Sequence, residues 1–130
     1  MLLWLFGPAS DLRVYHADAQ RMSGFLELAN ARVRWFLSID GNDLPFRVEP
    51  GLRTTYRSIT VDGQEIEFTE GFTGLHTRVY EGVLAGQGFG IADVRPSIDL
   101  VYRIRTAPLS PSDDCAHPML HPHPREHDAV

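Results

Sequence analysis

The spacing of apolar residues changes along this chain, and each change marks an element. The first stretch, MLLWLF, is continuously apolar and stops at Gly7-Pro8. It reads as the closing turns of a buried helix: Leu2, Leu3, Leu5 and Phe6 supply the apolar face, Gly7 takes the left-handed geometry that ends a helix, and Pro8 cannot continue it. A start signal is missing, since no Ser, Thr, Asp or Asn precedes the turn. From Asp11 the period becomes two, predicting a strand around residues 11–17. Two more extended stretches, GFLELAN and ARVRWFLSID, meet near Asn30. In the second, Ala31, Val33, Trp35, Leu37 and Ile39 share one face, while Arg32, Arg34, Ser38 and Asp40 occupy the other, the pattern of an antiparallel sheet with one wetter face.

The stretch GNDLPFRVEPGLR, residues 41–53, reads as a surface loop because its prolines and glycines break regular structure. TTYRSITVDGQEIEF follows, two β-rich runs around Asp62-Gly63, which suits a type I′ hairpin turn. Thr73 is placed to cap a helix in which Leu75, Val79 and Val83 recur at helical spacing, with Gly86 as its stop. A glycine-rich loop then leads to a second helix, with Pro96 expected as its first residue and Ile98, Val101, Tyr102 and Ile104 as its apolar stripe. From Ala107 the periodicity ends. Five of nine prolines and four of six histidines fall in residues 107–130, which predicts a flexible Pro/His-rich tail. The fold expected is α+β: an open-faced, mainly antiparallel sheet with helices packed on one face, spanning residues 1–106.

Composition narrows the function. A 43% hydrophobic fraction over 130 residues supports one folded domain. A net charge of −5 argues against a nucleic-acid partner. No apolar run is long enough for a bilayer, and the opening run lacks the basic flank of a signal peptide, so no membrane role is expected. The single cysteine, Cys115, fits a reducing, cytoplasmic setting and reads as an inert thiol. All twelve basic residues are arginine, so no lysine is available for a Schiff base or a proton transfer.

The candidate chemistry is sparse. AGQGFGIAD places Gly86, Gly88 and Gly90 after a helix rather than a strand, so it reads as a helix stop and linker, not a dinucleotide cradle. His117, His121, His123 and His127 are separated by prolines that deny them helical spacing, and no metal site is expected. Arg32, Arg34, Arg53 and Arg57 read as solvated sheet-face arginines ahead of an anion patch. His76 and Tyr80, four apart, share a helix face. No nucleophile–base–orienter set is present, so no catalytic residue is assigned.

Longer motifs add a resemblance. ARVRWFLSIDGNDLP, the run RTTYRSITVDGQEIEF, and LHTRVYEGVLAGQGFGIADVRPSIDLVYRIR, together with the opening MLLWLFG, resemble the C-terminal domain of the glucose–fructose oxidoreductase / inositol dehydrogenase family. Within it the likeness is greatest to nucleotide-sugar dehydrogenases of the UDP-N-acetyl-glucosaminuronate 3-oxidase type, which serve bacterial surface-polysaccharide synthesis. The resemblance implies an NAD(P)-dependent enzyme whose full-length form carries an upstream Rossmann domain, a Glu-Lys-Pro lysine and a histidine-bearing helix ending at the WLFG turn. On that basis Met1 reads as an internal methionine, and the chain as an oxidoreductase part that is inactive alone and binds no cofactor by itself. It further implies a homo-oligomer packed through the sheet face, and a nucleotide-sugar site near His76 and Tyr80 of LHT..Y and Arg95 of RPSI. From another class, a stand-alone oligomerisation or ligand-binding module is the alternative, and a His-tail metal binder the weaker third.

Overall fold

The computed structural model describes residues 1–46, 54–70 and 73–120. The chain forms two compact units, Met1–Ile39 with Ala92–Val130, and Asp40–Ile91.

The first unit is built on a three-stranded antiparallel sheet in the order β1 (Ala9–Ala17), β2 (Arg21–Leu28), β3 (Ala31–Ser38). Helix α1 (Leu2–Phe6) precedes it, and a helix from Ile91 to Thr106, described below as α3, follows in the chain. Register sorts the side chains. Leu12, Leu26 and Val33 lie opposite one another, as do Val14, Gly24 and Trp35, so they share one face; Arg13, Phe25 and Arg34 share the other. On the first face Leu26 and Leu28 form a core with Leu100 of the long helix, against which Leu2, Leu3, Phe6, Leu12, Val33, Trp35 and Ile104 pack.

The opening turn therefore does have a partner within the chain. Leu2, Leu3 and Phe6 pack on the core, while Trp4 and Leu5 stay about 60% exposed. Gly7 ends α1 at φ 84, with its N–H donating to the Leu3 carbonyl. Its need for glycine is double, because a Cβ there would stand 2.8 Å from Cβ of Ala29. Backbone bonds from Asn30 N to Phe6 O and from Ala29 N to Pro8 O tie this turn to the β2–β3 connection. Gly24 is constrained by space alone: a Cβ would run into the Arg13 carbonyl and the Trp35 ring.

On the opposite face Phe25 is fully buried beneath the Arg13 and Arg32 guanidinium groups, each 5.4 Å from its ring centre. Here the segment after Ala107 follows the sheet. Leu109 bridges Val14 in parallel, Ser110 N donates to Val14 O, and His117 stacks on Phe36 at 5.7 Å. Residues 109–120 thus make specific contacts where composition alone predicts flexibility; His121, His123 and His127 lie outside the described residues.

The second unit holds the hairpin β4 (Ser58–Val61) and β5 (Gln64–Glu67) and helix α2 (Leu75–Leu84). Asp62 at φ 50 and Gly63 at φ 81 give the left-handed pair a type I′ turn requires, as the sequence predicts. Residues 41–43 of the expected loop form a 3-10 turn capped by Asp40, whose side chain accepts from Asn42 N. Residues 47–53 of that loop, Arg53 included, lie outside the described residues.

Four expectations need correction. Thr73 does not cap α2: Gly74 occupies the cap position at φ 78, a left-handed geometry, with no side-chain bond. The long helix α3 (Ile91–Thr106) starts five residues before Pro96, which lies inside it. Proline there forgoes one backbone hydrogen bond, and the acidic first turn, with Asp93, supplies the start that Pro96 was expected to mark. The face of α3 that packs is set by Leu100 and Ile104, while Ile98, Val101 and Tyr102 point outward, Ile98 at 64% exposed. Leu37 and Ile39 also lie outside the packed patch, since the core reaches along β3 only as far as Trp35.

Candidate functional site

The residues named from sequence divide between the two units. His76 and Tyr80 stand one turn apart on α2, both exposed, so the second unit presents an imidazole and a phenol together. Arg95 is an exposed residue of α3 and belongs to the first unit. Each can reach a ligand through solvent, since none is buried.

A concavity of about 550 Å³ in the first unit is lined by residues of α1 and α3, with Leu3, Trp4, Pro96 and Leu100 as its apolar lining and Asp99 and Arg103 among its polar residues. Asp93 also borders it, so the groove carries two carboxylates to one guanidinium and does not favour a pyrophosphate. Sequence reading passed over Trp4, Asp99 and Arg103 as site residues. Their grouping joins residues about ninety positions apart, a separation for which period analysis has no signal.

The sheet's other face carries the strongest electrostatics. Asp113 accepts from Arg13 Nη1 at 2.7 Å, from the Tyr15 hydroxyl at 2.6 Å and from Cys115 N at 2.8 Å. These bonds, the Tyr15 one foremost, hold the Asp113 carboxyl below its ordinary range. Burial, reinforced by Asp113, pushes the Tyr15 phenol up to about 12. Asp113 likewise leads the effects that raise the Arg13 guanidinium. Nearby, Asp18 takes backbone N–H bonds from Gln20 and Arg21, both at 2.7 Å, and pairs with His16 at 2.8 Å, which lowers it to about 2. Arg32 pairs with Glu27 at 3.4 Å and donates to the Cys115 sulfur at 3.3 Å. Its side chain stays 67% exposed, in keeping with a solvated sheet-face arginine.

A nicotinamide dinucleotide does not fit these residues. Gly86, at φ 74, ends α2 rather than following a strand, and the helix it leads toward opens with Asp93, which opposes a pyrophosphate. Among the described residues no group of three His, Cys, Asp or Glu side chains is placed to hold a metal ion. No helix among them is long and apolar enough to cross a membrane.

No family model matches the chain. Solved structures do, and two of them show the same enzyme. One is the WlbA (WbpB) dehydrogenase from Thermus thermophilus in complex with NAD and α-ketoglutarate: 47% identity, TM-score 0.82, covering 90% of this chain and 38% of that one. The other is the same dehydrogenase in complex with NAD and UDP-GlcNAcA: 46% identity, TM-score 0.78, covering 86% of this chain and 36% of that one. Nine tenths of 130 residues is about 117, so the first match runs past Arg105 into the Pro-rich segment, further than the sequence motifs reach. The chain spans under two fifths of the length of the enzyme it matches. Such identity over nearly the whole chain, on a matching α+β frame, places it in the glucose–fructose oxidoreductase / inositol dehydrogenase family, as the counterpart of a C-terminal domain.

Proposed function

We propose that this chain supplies the sugar-facing wall of an NAD-dependent nucleotide-sugar dehydrogenase acting on UDP-GlcNAcA or a close relative. The observation that carries the reading is the 47% identity to a dehydrogenase that has been captured with NAD and, in a second structure, with UDP-GlcNAcA. Hydride transfer requires the nicotinamide held against the sugar carbon and a group that accepts the hydroxyl proton. NAD supplies the hydride acceptor when bound, and this chain contains no lysine and no dinucleotide cradle. Its own contribution is to bind and orient the sugar, so the chain by itself is inactive.

His76, Tyr80 and Arg95 are the residues proposed to meet the substrate. An imidazole and a phenol on one helix face suit sugar hydroxyls, and a free-standing guanidinium suits a uronate or a phosphate, which it grips in a bidentate manner. A cytoplasmic homo-oligomer in bacterial surface-polysaccharide synthesis completes the reading.

The test exchanges the matching span of the Thermus thermophilus dehydrogenase for residues of this chain. Arg95→Ala and His76→Ala are expected to raise KM for UDP-GlcNAcA while leaving KM for NAD unchanged. Unchanged KM for the sugar in both variants would remove these residues from the site.

A further inference from the structure

The function proposed above makes no use of the contacts by which residues 109–120 hold the sheet. That segment leaves α3, bridges the free edge of β1 through Leu109 and Val14, and is then fastened at successive points along its length. Asp113 is clamped between Arg13 and Tyr15. Cys115 takes a bond from Arg32, and His117 stacks on Phe36 at an interplanar angle of 22°.

His117 is the fastening whose chemistry changes near neutral pH. Its Nδ1 lies 3.1 Å from the backbone N of Met119. A peptide N–H can only donate, so this ring nitrogen must carry the lone pair, and the proton of the neutral ring sits on Nε2. Gaining a second proton puts N–H against N–H and ends that bond. The surroundings resist the charge as well: the ring is half-buried, and the Arg34 guanidinium on β3 repels a second charge on it. Phe36 offers a face that attracts a cation, but it does not restore the lost acceptor. His16, paired with Asp18, and Arg21 border a cavity of about 210 Å³ shared with Tyr15, Phe36, Ser112, Met119 and Leu120, and Arg32 is bonded to Cys115 two residues before His117.

We propose that residues 109–120 are a strap, latched across the sheet while His117 is neutral and released when His117 takes up a proton, uncovering the Phe25 and Arg13 face. Burial and Arg34 both lower the proton affinity of His117. The sign follows: a histidine whose folded-state value is depressed favours the closed strap above its ordinary value, about 6.5, and gives up that contribution as pH falls below it. Asp113, held lower than an ordinary carboxyl, remains ionised throughout this window. The Asp113 clamp therefore sets how tightly the strap closes, and His117 sets when.

The Ser110 amide, bonded to Val14 O at 2.8 Å, reports closure directly. Its hydrogen-exchange protection, taken at each pH relative to the intrinsic rate, would be measured in the full chain at about pH 7.5 and about pH 5.5. Protection is expected to drop several-fold at the lower pH. His117→Gln keeps an acceptor for Met119 N–H yet takes no proton, and His117→Phe keeps the stack, so both should hold protection level across the range. Asp113→Asn should lower protection at both pH values and preserve the drop. Equal protection of the wild-type chain at the two pH values overturns the proposal. So does a drop that persists in His117→Gln, which would assign it to His16 or to general acid loosening.

Discussion

The two units of this molecule spend their apolar residues differently. Every buried hydrophobic side chain among the described residues (Val14, Tyr15, Phe25, Leu26, Leu28 and Leu100) belongs to the first unit, where three strands, two helices and the 109–120 segment cover both faces of one sheet. In the second unit no described residue is buried, although Val61, Ile66, Leu75, Val79 and Val83 are all present. A two-stranded hairpin and a lone helix cannot close a core, and a hairpin alone is marginal in water. The lesson is a division of labour. The first unit is stable through its own packing, and the second presents side chains outward, among them the two, His76 and Tyr80, proposed to meet a ligand.

Substitutions sharpen that contrast in descending size. Phe25→Ala removes a ring only 1% exposed and capped by two guanidinium groups, and is expected to cost about 3–5 kcal/mol in denaturant unfolding. Gly24→Ala drives a methyl into the Arg13 carbonyl and the Trp35 ring, and should cost about 1–3 kcal/mol by the same measurement. In the second unit Gly63→Ala forces a side chain into φ 81, and should weaken the hairpin by about 1 kcal/mol, seen as faster amide exchange over residues 58–67 and little change in global unfolding. Ile66→Ala, at a site 55% exposed, should alter global stability by less than about 0.5 kcal/mol. A loss comparable to that of Phe25→Ala would show a core in the second unit and break the comparison.

Acid separates the units too. Asp18 belongs to the first unit, and its carboxyl is lowered to about 2 by the Gln20 and Arg21 amides and by His16. A depressed carboxylate contributes above its ordinary value and loses that contribution as pH falls toward the folded one. Stability of the first unit, followed by chemical unfolding, should therefore decline between about pH 5 and about pH 2, and Asp18→Ala should flatten that decline.

Local signals in the sequence carried most of the elements. Period-two alternation located β1 and β3, Asp62-Gly63 located the hairpin, and Gly7 and Gly86 located two helix ends, because each signal resides in a few adjacent residues. What periodicity could not supply was which face would find a partner. Leu100 packs and Ile98 does not, though both are apolar residues of one helix, because the choice depends on where α3 crosses the sheet. The same limit hid the Asp113 clamp, whose partners Arg13 and Tyr15 lie about a hundred positions away. Thr73 and Pro96 followed general capping preferences, which Gly74 and the Asp93 turn overrode locally. For the site, the residue pattern alone yielded only the shared face of His76 and Tyr80; the resemblance added Arg95 and the substrate class.

The most direct test of the central claim measures NADH formation from UDP-GlcNAcA by the Thermus thermophilus dehydrogenase carrying this chain in place of its matching span, beside the chain alone. The account predicts turnover by the exchanged enzyme and none by the chain alone. A folded exchanged enzyme that binds NAD yet leaves UDP-GlcNAcA unoxidised, or NADH formation by the isolated chain, would contradict it.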